Sequence, residues 1–560
     1  MDISSLRNCQ SRADLAQLLG YTTKGLTYVV YGIPEEHRYS SFQIPKKSGG
    51  YREILSPALE LKALQRKLSD ALQNIVTLAG QGTPFTNPNC HGFTPKRSIL
   101  TNAKRHRNQR YVFNIDLSDF FGSINFGRIH GFLQKNKHFA LSREVATIIA
   151  QAACHKNKLP QGSPCSPILS NLIASTLDSR LGRLASKHRC SYTRYADDIT
   201  FSTSMPEFPK EIALLEDGKW SAGNDLRTVI EKSGFRINNE KTRMQFRSSR
   251  QSVTGLIVNK KVNTPSDYRR RVRAMLQRYL KHGEAYSGGD TSSIVGTNQI
   301  HGMLSHIHTV SQRASCAPSH SRVNPTDFKK FLFCKIFGEN KNPVILCEGK
   351  TDHRYISAAI LKYADKFPEL AYTASNGKKA LIPKFYKYPD SSTSKVLELR
   401  GGAGDLKRFL AQYRILFDAI NFERNINPVI IIVDNDPAGI EVLSAARQMR
   451  GEKCDRDADI IYLSRNLYIA TIPRNNKSKD YQIEDLFKES TLGLDIFGKT
   501  LCLDDSKFNS EVNFGKEIFS SHIAQNYSEI DFENFLPLLE SIKMAIGDLR
   551  NRLSATTPQT

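Results

Sequence analysis

The chain has 560 residues, with 79 Lys and Arg against 55 Asp and Glu, and a formal net charge of +24. The excess lies in residues 1–320, with 45 basic and 23 acidic residues, whereas residues 321–560 hold 34 and 32. This asymmetry predicts a local site for a polyanion such as nucleic acid. No apolar run approaches the ~20 residues that span a bilayer, and a secretory pattern is missing. The ten cysteines include no Cys-x-x-Cys pair, which is typical of reduced cytosolic thiols without zinc.

The first element in chain order is a β-hairpin over residues 42–54. Strand-forming residues flank the turn Lys46-Lys47-Ser48-Gly49-Gly50, and Arg52 follows the turn on the return strand. Two glycines supply the positive φ angles that a tight turn needs. Taken alone, basic residues at a glycine-rich turn are often plain solubilising groups.

An acid ends the next predicted strand. Residues 111–115 are strand formers, and Asp116 follows them before an aromatic-rich turn. A pair of acids, Asp197 and Asp198, lies in the tetrapeptide Tyr195-Ala196-Asp197-Asp198, between further strand formers. Strand residues alternate faces, so neighbouring acids point to one place only at the turn of a hairpin. An ordinary Asp-Asp turn is the alternative for the pair alone, and Asp116 argues against it.

Three such carboxylates suit nucleotidyl transfer. That reaction uses two divalent ions about 3.5–4 Å apart, one on the attacking hydroxyl and one on the leaving group. Magnesium takes hard oxygen ligands and keeps part of its water, so a few carboxylates and the substrate phosphates suffice. The sequence therefore predicts that Asp116, Asp197 and Asp198 bind two Mg²⁺ ions.

A rigid loop separates Asp116 from the acidic pair. Residues 159–167 read Leu-Pro-Gln-Gly-Ser-Pro-Cys-Ser-Pro, and a helix is predicted to begin after Pro167. Gln161 and Gly162 are candidates for positioning the templating base pair or the incoming nucleotide. A plain turn with a helix cap is the alternative.

The order of these motifs resembles a reverse transcriptase over about residues 1–315. Asp116, the Pro160-Gln161-Gly162 loop and the Asp197-Asp198 hairpin are similar to the palm acids, the nucleotide-pocket loop and the catalytic hairpin of that family. The resemblance implies an α+β right-hand polymerase with fingers, palm and thumb. It also implies that three residues of the first hairpin approach the template and the deoxynucleoside triphosphates: Lys46, Lys47 and Arg52.

Two further patterns resemble retron reverse transcriptases. Asn102-Ala103-Lys104-Arg105-His106 matches their Asn-Ala-x-x-His pattern, and Val253-Thr254-Gly255 matches their Val-Thr-Gly signature. Enzymes of this kind copy part of a structured noncoding RNA, starting from the 2′-hydroxyl of a guanosine within it. The resemblance therefore implies a structured noncoding RNA as template-primer and a branched multicopy single-stranded DNA, still joined to RNA, as product. It also implies that residues of the two patterns contact nucleic acid: Asn102, His106, Val253, Thr254 and Gly255. For His106, a buried structural hydrogen bond is the alternative to RNA contact.

The most basic predicted helix covers about residues 264–282. Val272, Met275, Leu276 and Tyr279 recur at helical spacing. In a reverse transcriptase this helix would be the thumb, which lies along a duplex or an RNA stem and contacts its phosphates. A solvated amphipathic helix is the alternative. The cations expected to bind nucleic acid are Arg269, Arg270, Arg273 and Lys281.

The second half contains another pair of strand-and-acid motifs. Residues 343–347 form a buried-type strand that ends at Glu348, and residues 428–433 form an almost unbroken apolar run that ends at Asp434-Asn435-Asp436. Continuous apolar strands belong in parallel sheets, and the carboxyl ends of such strands carry the sites of α/β folds. Glu348, Asp434 and Asp436 are therefore predicted to bind one or two Mg²⁺ ions. A turn and helix cap is the alternative for Asp434 and Asp436.

These motifs resemble a Toprim domain over about residues 340–490. The resemblance implies an α/β domain with a mainly parallel sheet, in which the glutamate acts as general acid/base or metal ligand and the Asp-x-Asp acids hold magnesium. Glu484 is similar to a further acidic position in the nuclease branch of that family. A Mg-dependent nuclease is therefore implied, and a non-cleaving nucleic-acid-binding module is the alternative.

Together these features predict four regions: a reverse transcriptase at 1–310, a linker at 311–326, a Toprim-like domain at 327–490, and a helical extension with a disordered tail at 491–560. We expect a bacterial cytoplasmic enzyme with no membrane partner, and a homo-oligomer is left open. The fused Toprim effector is expected to act in antiphage defence under restraint by the DNA product. A group II intron or diversity-generating polymerase is the competing interpretation of the first region.

Overall fold

The computed structural model describes residues 3–46, 49–78, 87–286, 293–314, 325–422, 426–452, 454–474, 479–503 and 506–556. The chain forms two compact units, each described by itself below. The first unit comprises residues 1–266 and 310–319, and the second comprises residues 267–309 and 320–560. No helix in the described ranges has the length and apolar character needed to cross a membrane.

Short helices, a hairpin and one long helix open the first unit. The predicted hairpin is present, with Phe42 opposite Ile54 in an antiparallel register. In chain order the elements are α1 (Ile3–Asn8), α2 (Arg12–Leu19), α3 (Thr23–Thr27), a π-helical turn (Tyr28–Gly32), α4 (Glu35–Arg38), β1 (Tyr39–Pro45), β2 (Tyr51–Pro57) and α5 (Leu59–Leu78).

A four-stranded antiparallel sheet follows. The elements are α6 (Ile99–Arg105), β3 (Tyr111–Ser118), α7 (Phe126–Lys135), α8 (Arg143–Ala153), α9 (Ser166–Lys187), β4 (Ser191–Tyr195), β5 (Asp198–Thr203), β6 (Ala213–Glu216), β7 (Lys219–Ala222), α10 (Asn224–Glu231), β8 (Arg236–Phe246), β9 (Ser252–Val253) and β10 (Leu256–Ile257). The sheet order is β4-β5-β3-β8. Its apolar residues, such as Phe113 and Phe201, share one core with the buried faces of α7, α8 and α9. The predicted strand before Asp116 is confirmed as β3, and the helix predicted near Pro167 is confirmed as α9.

The second unit begins with helices and continues as an α/β fold; the helix over residues 297–314 belongs to it up to residue 309. Its elements are α11 (Ser266–His282), α12 (Thr297–Ala314), α13 (Pro325–Phe333), a π-helical turn (Cys334–Gly338), β11 (Val344–Cys347), α14 (Asp352–Lys362), β12 (Ala371–Thr373), β13 (Lys379–Leu381), β14 (Lys384–Phe385), α15 (Ser392–Leu397), α16 (Ala403–Asp418), β15 (Val429–Val433), α17 (Pro437–Arg450), β16 (Ile461–Ser464) and β17 (Leu467–Thr471). A 3₁₀ turn (Ile483–Leu486), α18 (Glu489–Leu492), β18 (Thr500–Leu501), β19 (Asn513–Phe514), α19 (Lys516–Gln525), a second 3₁₀ turn (Glu533–Phe535) and α20 (Leu536–Thr556) complete it.

A five-stranded sheet in the order β14-β11-β15-β17-β16 organises the second unit. The first four strands are parallel, and β16 is antiparallel to β17. Alternate residues of β15 enter cores on opposite faces: Val429 and Ile431 share one core with α16 and α17, and Ile430 and Ile432 share another with α14 and α20. Burial on both faces is why this strand reads as a continuous apolar run.

The structure differs from the expected regions in three places. Helix α11 belongs to the compact second unit, and α12 and α13 extend into the predicted linker, of which residues 315–324 lie outside the described chain. The region after residue 490 contains the pair β18 and β19 besides helices. Helix α20 continues to Thr556, beyond Arg550, where the tail was expected to be disordered. Phe514 and Leu549 are buried in the core on one face of the sheet, so tertiary packing accounts for order in this region.

Candidate functional site

Three carboxylates come together at one edge of the antiparallel sheet. Asp116 on β3 lies opposite Asp198 on β5, and Asp197 occupies the turn between β4 and β5. Ala196 enters that turn with a φ of 57°, the left-handed conformation that tight hairpin turns use. The backbone N–H of Leu117 donates to the Asp197 carbonyl at 3.0 Å. The structure therefore brings the three predicted acids to one place.

Burial, and after it mutual repulsion, raises the pKa of two of these acids. Burial, followed by repulsion from Asp116, raises the pKa of Asp197. Burial together with repulsion from Asp197 and Asp116 raises the pKa of Asp198 to about 6. A divalent cation relieves such repulsion and prefers oxygen ligands, so the donor set fits magnesium. In the described residues, however, no three Asp, Glu, His or Cys side chains are already arranged around a common ion position.

Lys241 is a functional candidate that was not among the predicted residues. Its Nζ donates to the two carboxylate oxygens of Asp116 at 3.0 and 3.1 Å, and Asn238 Nδ2 donates to the same group at 3.3 Å. Both residues come from β8, which pairs with β3. A lysine so far along the chain gives no local signal, because only strand pairing places it beside Asp116.

A buried ion pair holds the acidic turn in place. Arg194 on β4 is fully buried and donates two hydrogen bonds of 2.7 Å to the carboxylate of Asp178 on α9. A third guanidinium N–H donates to the Ala196 carbonyl at 2.9 Å, and the Tyr192 hydroxyl donates to Asp178 at 2.7 Å. Because Ala196 directly precedes the two acids, this pair fixes the turn that presents them. The sequence contains both partners but no sign that they meet, since their contact depends on how α9 packs against β4.

Asp116 and Asp197 line a cleft of ≈1090 Å³ that other predicted residues also line. Lys46, Arg52 and Gln161 line the cleft together with Asp116 and Lys241. The structure therefore brings the basic hairpin and the loop at 159–162 to the same cavity as the acids. Lys47 lies outside the described residues.

The loop at Gln161 and Gly162 is fixed against the hairpin. The Leu55 N–H on β2 donates to the Gln161 carbonyl at 2.8 Å. Gly162 has a φ of 122°, and a Cβ at this position would lie 2.4 Å from the Leu55 carbonyl oxygen. Only glycine fits so close an approach of two backbones, so the loop geometry depends on Gly162.

The two retron-type patterns are neighbours in the structure. Asn102 on α6 donates through Nδ2 to the Thr254 hydroxyl at 3.4 Å, and that hydroxyl donates to the Ile99 carbonyl at 3.3 Å. Val253 is fully buried, and Gly255, with a φ of 80°, completes the turn between β9 and β10. These contacts hold α6 against that turn. RNA binding by these residues stays a prediction.

His106 is fully buried between β4 and β5. Its two ring nitrogens lie 2.7 Å from the hydroxyl oxygens of Thr193 and Ser202. Burial, with smaller effects from His91 and Arg105, lowers the pKa of His106 to about 3. This geometry favours the buried structural hydrogen bond over contact with RNA.

Acid is expected to destabilise the first unit through His106. The folded-state pKa lies below the ordinary value of 6.5, so the unfolded chain takes up the proton more readily and stability falls as the pH drops below that value. Between pH 7 and pH 5 this residue should lower the free energy of unfolding by about 2 kcal/mol. Denaturant titrations of His106→Gln should show a shallower pH dependence than wild type. The exposed-site variant His37→Gln should match wild type, and an unchanged slope in His106→Gln would contradict the assignment.

Helix α11 presents its predicted cations from the second unit. Val272, Met275, Leu276 and Tyr279 are buried in a core of that unit, as their spacing predicted. The cations differ in their surroundings. Arg273 donates to Asp327 at 3.2 Å, Lys281 lines an open cavity of ≈640 Å³ with Arg271 and Arg278, Arg270 is exposed and Arg269 is half-buried.

A second group of acids lies at the carboxyl ends of the parallel strands. Glu348 follows β11, and Asp434 follows the adjacent β15. The Glu348 N–H donates to the Ile432 carbonyl at 3.0 Å, and the Asp434 N–H donates to the Glu348 carboxylate at 3.3 Å. Asp436 accepts from the Gly439 N–H at 2.9 Å and so caps α17. The predicted acids thus share one edge of the sheet, and Asp436 has the capping role as well.

Two more acids complete this group. Asp352, in the first turn of α14, accepts from the Gly349 N–H at 2.7 Å. Glu484 is 1% exposed and accepts from Lys516 Nζ at 3.0 Å. The Ile483 N–H donates to Asp434 at 3.1 Å, which connects the two segments. Glu484 was predicted, whereas Asp352 and Lys516 were not. The available signal for Asp352 was its place shortly after Glu348 in the sequence, at the start of α14.

Burial, and after it repulsion between like charges, raises the pKa of three acids in this second group. Burial, followed by repulsion from Asp436, raises the pKa of Glu348 to about 7. Burial, followed by repulsion from Asp352, raises the pKa of Asp434 to about 8. Burial and repulsion from Glu484 raise the pKa of Asp352 to about 6. Carboxylate oxygens are the donors that a divalent cation prefers, but in the described part of the chain no three of these side chains are already arranged around one ion position.

An antiparallel sheet with an Asp-Asp turn beside a third acid, facing a hairpin and a Gln-Gly loop, defines the palm of a reverse transcriptase. The family model described as "Reverse transcriptase (RNA-dependent DNA polymerase)" matches residues 44–263. Comparison with similar proteins narrows the class of reverse transcriptase to the retron type. The retron Ec86 reverse transcriptase of Escherichia coli is 31% identical over 314 residues, which cover 55% of this chain and 86% of the relative. The chain belongs to the retron reverse transcriptase family.

Two relatives from Myxococcus xanthus are similar over parts of their length. The retron Mx65 reverse transcriptase is 34% identical over 295 residues, which cover 50% of this chain and 64% of the relative. The retron Mx162 reverse transcriptase is 33% identical over 331 residues, which cover 54% of this chain and 65% of the relative. The matched region therefore spans less than two thirds of both relatives.

Proposed function

We propose that the first unit is an RNA-directed DNA polymerase that copies part of a structured noncoding RNA into branched single-stranded DNA. The observation that carries this proposal is the meeting of Asp116 with Asp197 and Asp198 at a cleft lined by cations, in a chain of the retron family. Membership of that family also weighs against the group II intron and diversity-generating alternatives. Bound magnesium would make the attacking hydroxyl more acidic and stabilise the charge of the leaving group.

The side chains of the cleft would divide the work of binding and orientation. Asp116, Asp197 and Asp198 would hold two metal ions, and Lys46 and Arg52 would neutralise the triphosphate of the incoming deoxynucleotide. The backbone at Gln161, fixed to β2, would orient that nucleotide. Lys241 pairs with Asp116 and so keeps a positive charge beside the acids.

The nucleic acid that copurifies with the full chain tests this proposal. We expect DNA joined to RNA through the 2′-oxygen of a guanosine, detected by sequencing both strands and by resistance of the junction to ribonucleases. The matched variant Asp198→Asn should copurify with the same RNA but without DNA. Linear DNA alone, or RNA without DNA in wild type supplied with deoxynucleotides, would refute branched synthesis.

We also propose that the second unit is a Mg-dependent nuclease of the Toprim type and acts in antiphage defence. Support comes from the adjacent parallel strands that carry Glu348 and Asp434, and from the crowding of these acids with Asp352 and Glu484. Because polymerase and acid group share one chain, we infer that the DNA product of the first unit restrains the second until infection disturbs the complex. A non-cleaving nucleic-acid-binding module is the second candidate.

Substitution of Asp434 should separate these two candidates. Asp434→Asn removes a metal-binding charge without changing shape, so cleavage of labelled DNA or RNA in magnesium should fall by more than about 100-fold. Phage protection should be lost while DNA synthesis continues. Glu441→Gln, at an exposed surface pair on α17, is the control and should behave as wild type. Protection that survives in Asp434→Asn would exclude the nuclease effector, and wild type without cleavage would favour the binding module.

A further inference from the structure

A second cavity in the first unit has no part in the proposed reaction. Its volume is ≈390 Å³, within the range of ~300–1,000 Å³ that small-ligand pockets occupy. The end of α5, residues 87–97 and the first half of α9 form its walls. Asp116, Asp197 and Asp198 do not line it. It is therefore distinct from the acidic cleft.

The lining combines one exposed aromatic ring with apolar, amide and basic groups. Phe93 keeps 43% of its surface exposed at this cavity. An unpaired nucleotide is complementary to such a set, because its base stacks on an aromatic ring, its edge forms hydrogen bonds and its phosphate pairs with cations. The residues concerned are Phe93, Leu172, Asn171, Gln73, Lys96 and Arg97.

The loop at the cavity is held in a strained backbone conformation. Phe93 and Lys96 have φ angles of 56° and 60°, the left-handed region that residues other than glycine rarely adopt. The Arg97 guanidinium donates to the carbonyls of Asn87 and Cys90 at 2.5 and 2.6 Å and braces the loop. Strain of this kind persists where the surrounding structure imposes it, and it is concentrated at binding sites.

The cavity wall is connected to the residues that hold the catalytic turn. Asn171 donates through Nδ2 to the Gly92 carbonyl at 2.8 Å, and Arg194 donates to Asn171 Oδ1 at 3.3 Å. A Cβ on Gly92 would lie 2.4 Å from the Ala196 nitrogen, so this loop touches the turn directly. A ligand that contacts Asn171 would therefore contact a residue bonded to Arg194.

We propose that this cavity binds an unpaired nucleotide of the RNA partner. The base stacks on Phe93, its edge bonds to Asn171, and its phosphate pairs with Lys96. The assignment of the nucleotide to an RNA rests on the proposed reverse transcription. The fit of the cavity to a base and a phosphate does not depend on it. The site anchors a bulged or looped nucleotide of a structured RNA beside the catalytic turn.

Two matched RNA hairpins test this proposal with the full chain: one fully paired, and one with a single bulged 2-aminopurine. Wild type should bind the bulged hairpin at least about 5-fold more tightly at the same salt concentration, since one base stacked on an aromatic side chain contributes that much or more. The fluorescence of the 2-aminopurine should fall on binding as it stacks. Fluorescence anisotropy measures the affinities.

Substitutions show which residues cause the preference for the bulged hairpin. Phe93→Ala should bind both hairpins alike, and Phe93→Leu, which keeps an apolar side chain but no ring, should do the same. Lys96→Ala should bind both hairpins more weakly but keep a preference for the bulged one, because the ring of Phe93 remains. Phe497→Ala removes a ring that is 92% exposed on the second unit and should keep the preference. Equal binding by wild type, or a preference that survives in Phe93→Leu, would overturn the proposal.

Two further measurements separate RNA binding from mononucleotide binding, and the nucleotide site from the polymerase proposal. Free AMP also offers a purine base and a phosphate, so if AMP competes as well as the bulged hairpin does, the cavity is a mononucleotide site and the RNA assignment is overturned. Extension of oligo(dT) on poly(rA), which contains no bulge, reports the polymerase proposal independently. If wild type extends the primer but shows no preference for the bulged hairpin, the proposal of a nucleotide site is wrong and the polymerase proposal stands.

Discussion

Asp197→Asn should abolish DNA synthesis and leave the first unit folded. The substitution keeps the shape of the side chain but removes a charge that would hold metal at the turn. Metal ions stabilise the transition state by several kcal/mol, so synthesis should fall by at least about 1,000-fold. Stability should not fall, because burial and the charge of Asp116 already disfavour ionised Asp197, as its raised pKa shows. If DNA synthesis is lost while the melting temperature is unchanged or higher, the substitution impairs the polymerase reaction and not the folding of the unit.

Extension of a DNA primer on an RNA template in magnesium measures this loss. Asp217→Asn is the matched control, since Asp217 is exposed in a turn of the same unit and has a left-handed φ of 48° that asparagine tolerates. It should behave as wild type in both assays. If Asp197→Asn retained more than a tenth of wild-type synthesis, the assignment of Asp197 to metal binding would be wrong.

Arg194→Met should strongly destabilise the first unit. The variant leaves the buried Asp178 carboxylate without its cation, and breaking a buried ion pair on one side costs about 3–5 kcal/mol. The double variant Arg194→Met/Asp178→Leu removes both charges and should recover part of that free energy of unfolding, the remaining loss being that of the buried Tyr192 hydroxyl without its acceptor. DNA synthesis should not recover, because the Ala196 carbonyl still lacks the Arg194 hydrogen bond that fixes the turn.

Denaturant titrations of the two variants, followed by primer extension, separate stability from positioning. Arg12→Met is the control, since the Arg12 pair with Glu144 is partly exposed and 3.8 Å long; its loss should cost no more than about 1 kcal/mol. A double variant as unstable as Arg194→Met would show that the uncompensated charge is not the cause. A double variant with full activity would remove the positioning role of Arg194.

The acidic motifs could be predicted from the sequence because a short run of residues predicts each strand, and the strand sets the position of its acid. An apolar run before Asp116 and strand formers around Asp197 and Asp198 predict where each acid stands on its own strand. The apolar face of α11 and the strands before Glu348 and Asp434 follow from periodicity in the same way. These elements are all present at the predicted positions.

Contacts between distant segments were not accessible in this way. Lys241 reaches Asp116 through strand pairing, Arg194 reaches Asp178 through helix packing, and Lys516 reaches Glu484 through a later helix. Each of these side chains is an ordinary charged residue in its own segment. Only the fold reveals that it has a buried or functional partner.

Short-range patterns in the sequence sufficed to predict the positions of the acids, the retron-type motifs and the parallel-strand character of the second half. The fold was needed to show which cations face those acids, that His106 is buried, that α11 packs with the second unit, and that a second cavity lies beside the turn at Asp197. Charge pairing, burial and cavity shape depend on distances between segments far apart in the chain. Residue order specifies such distances only through the complete fold.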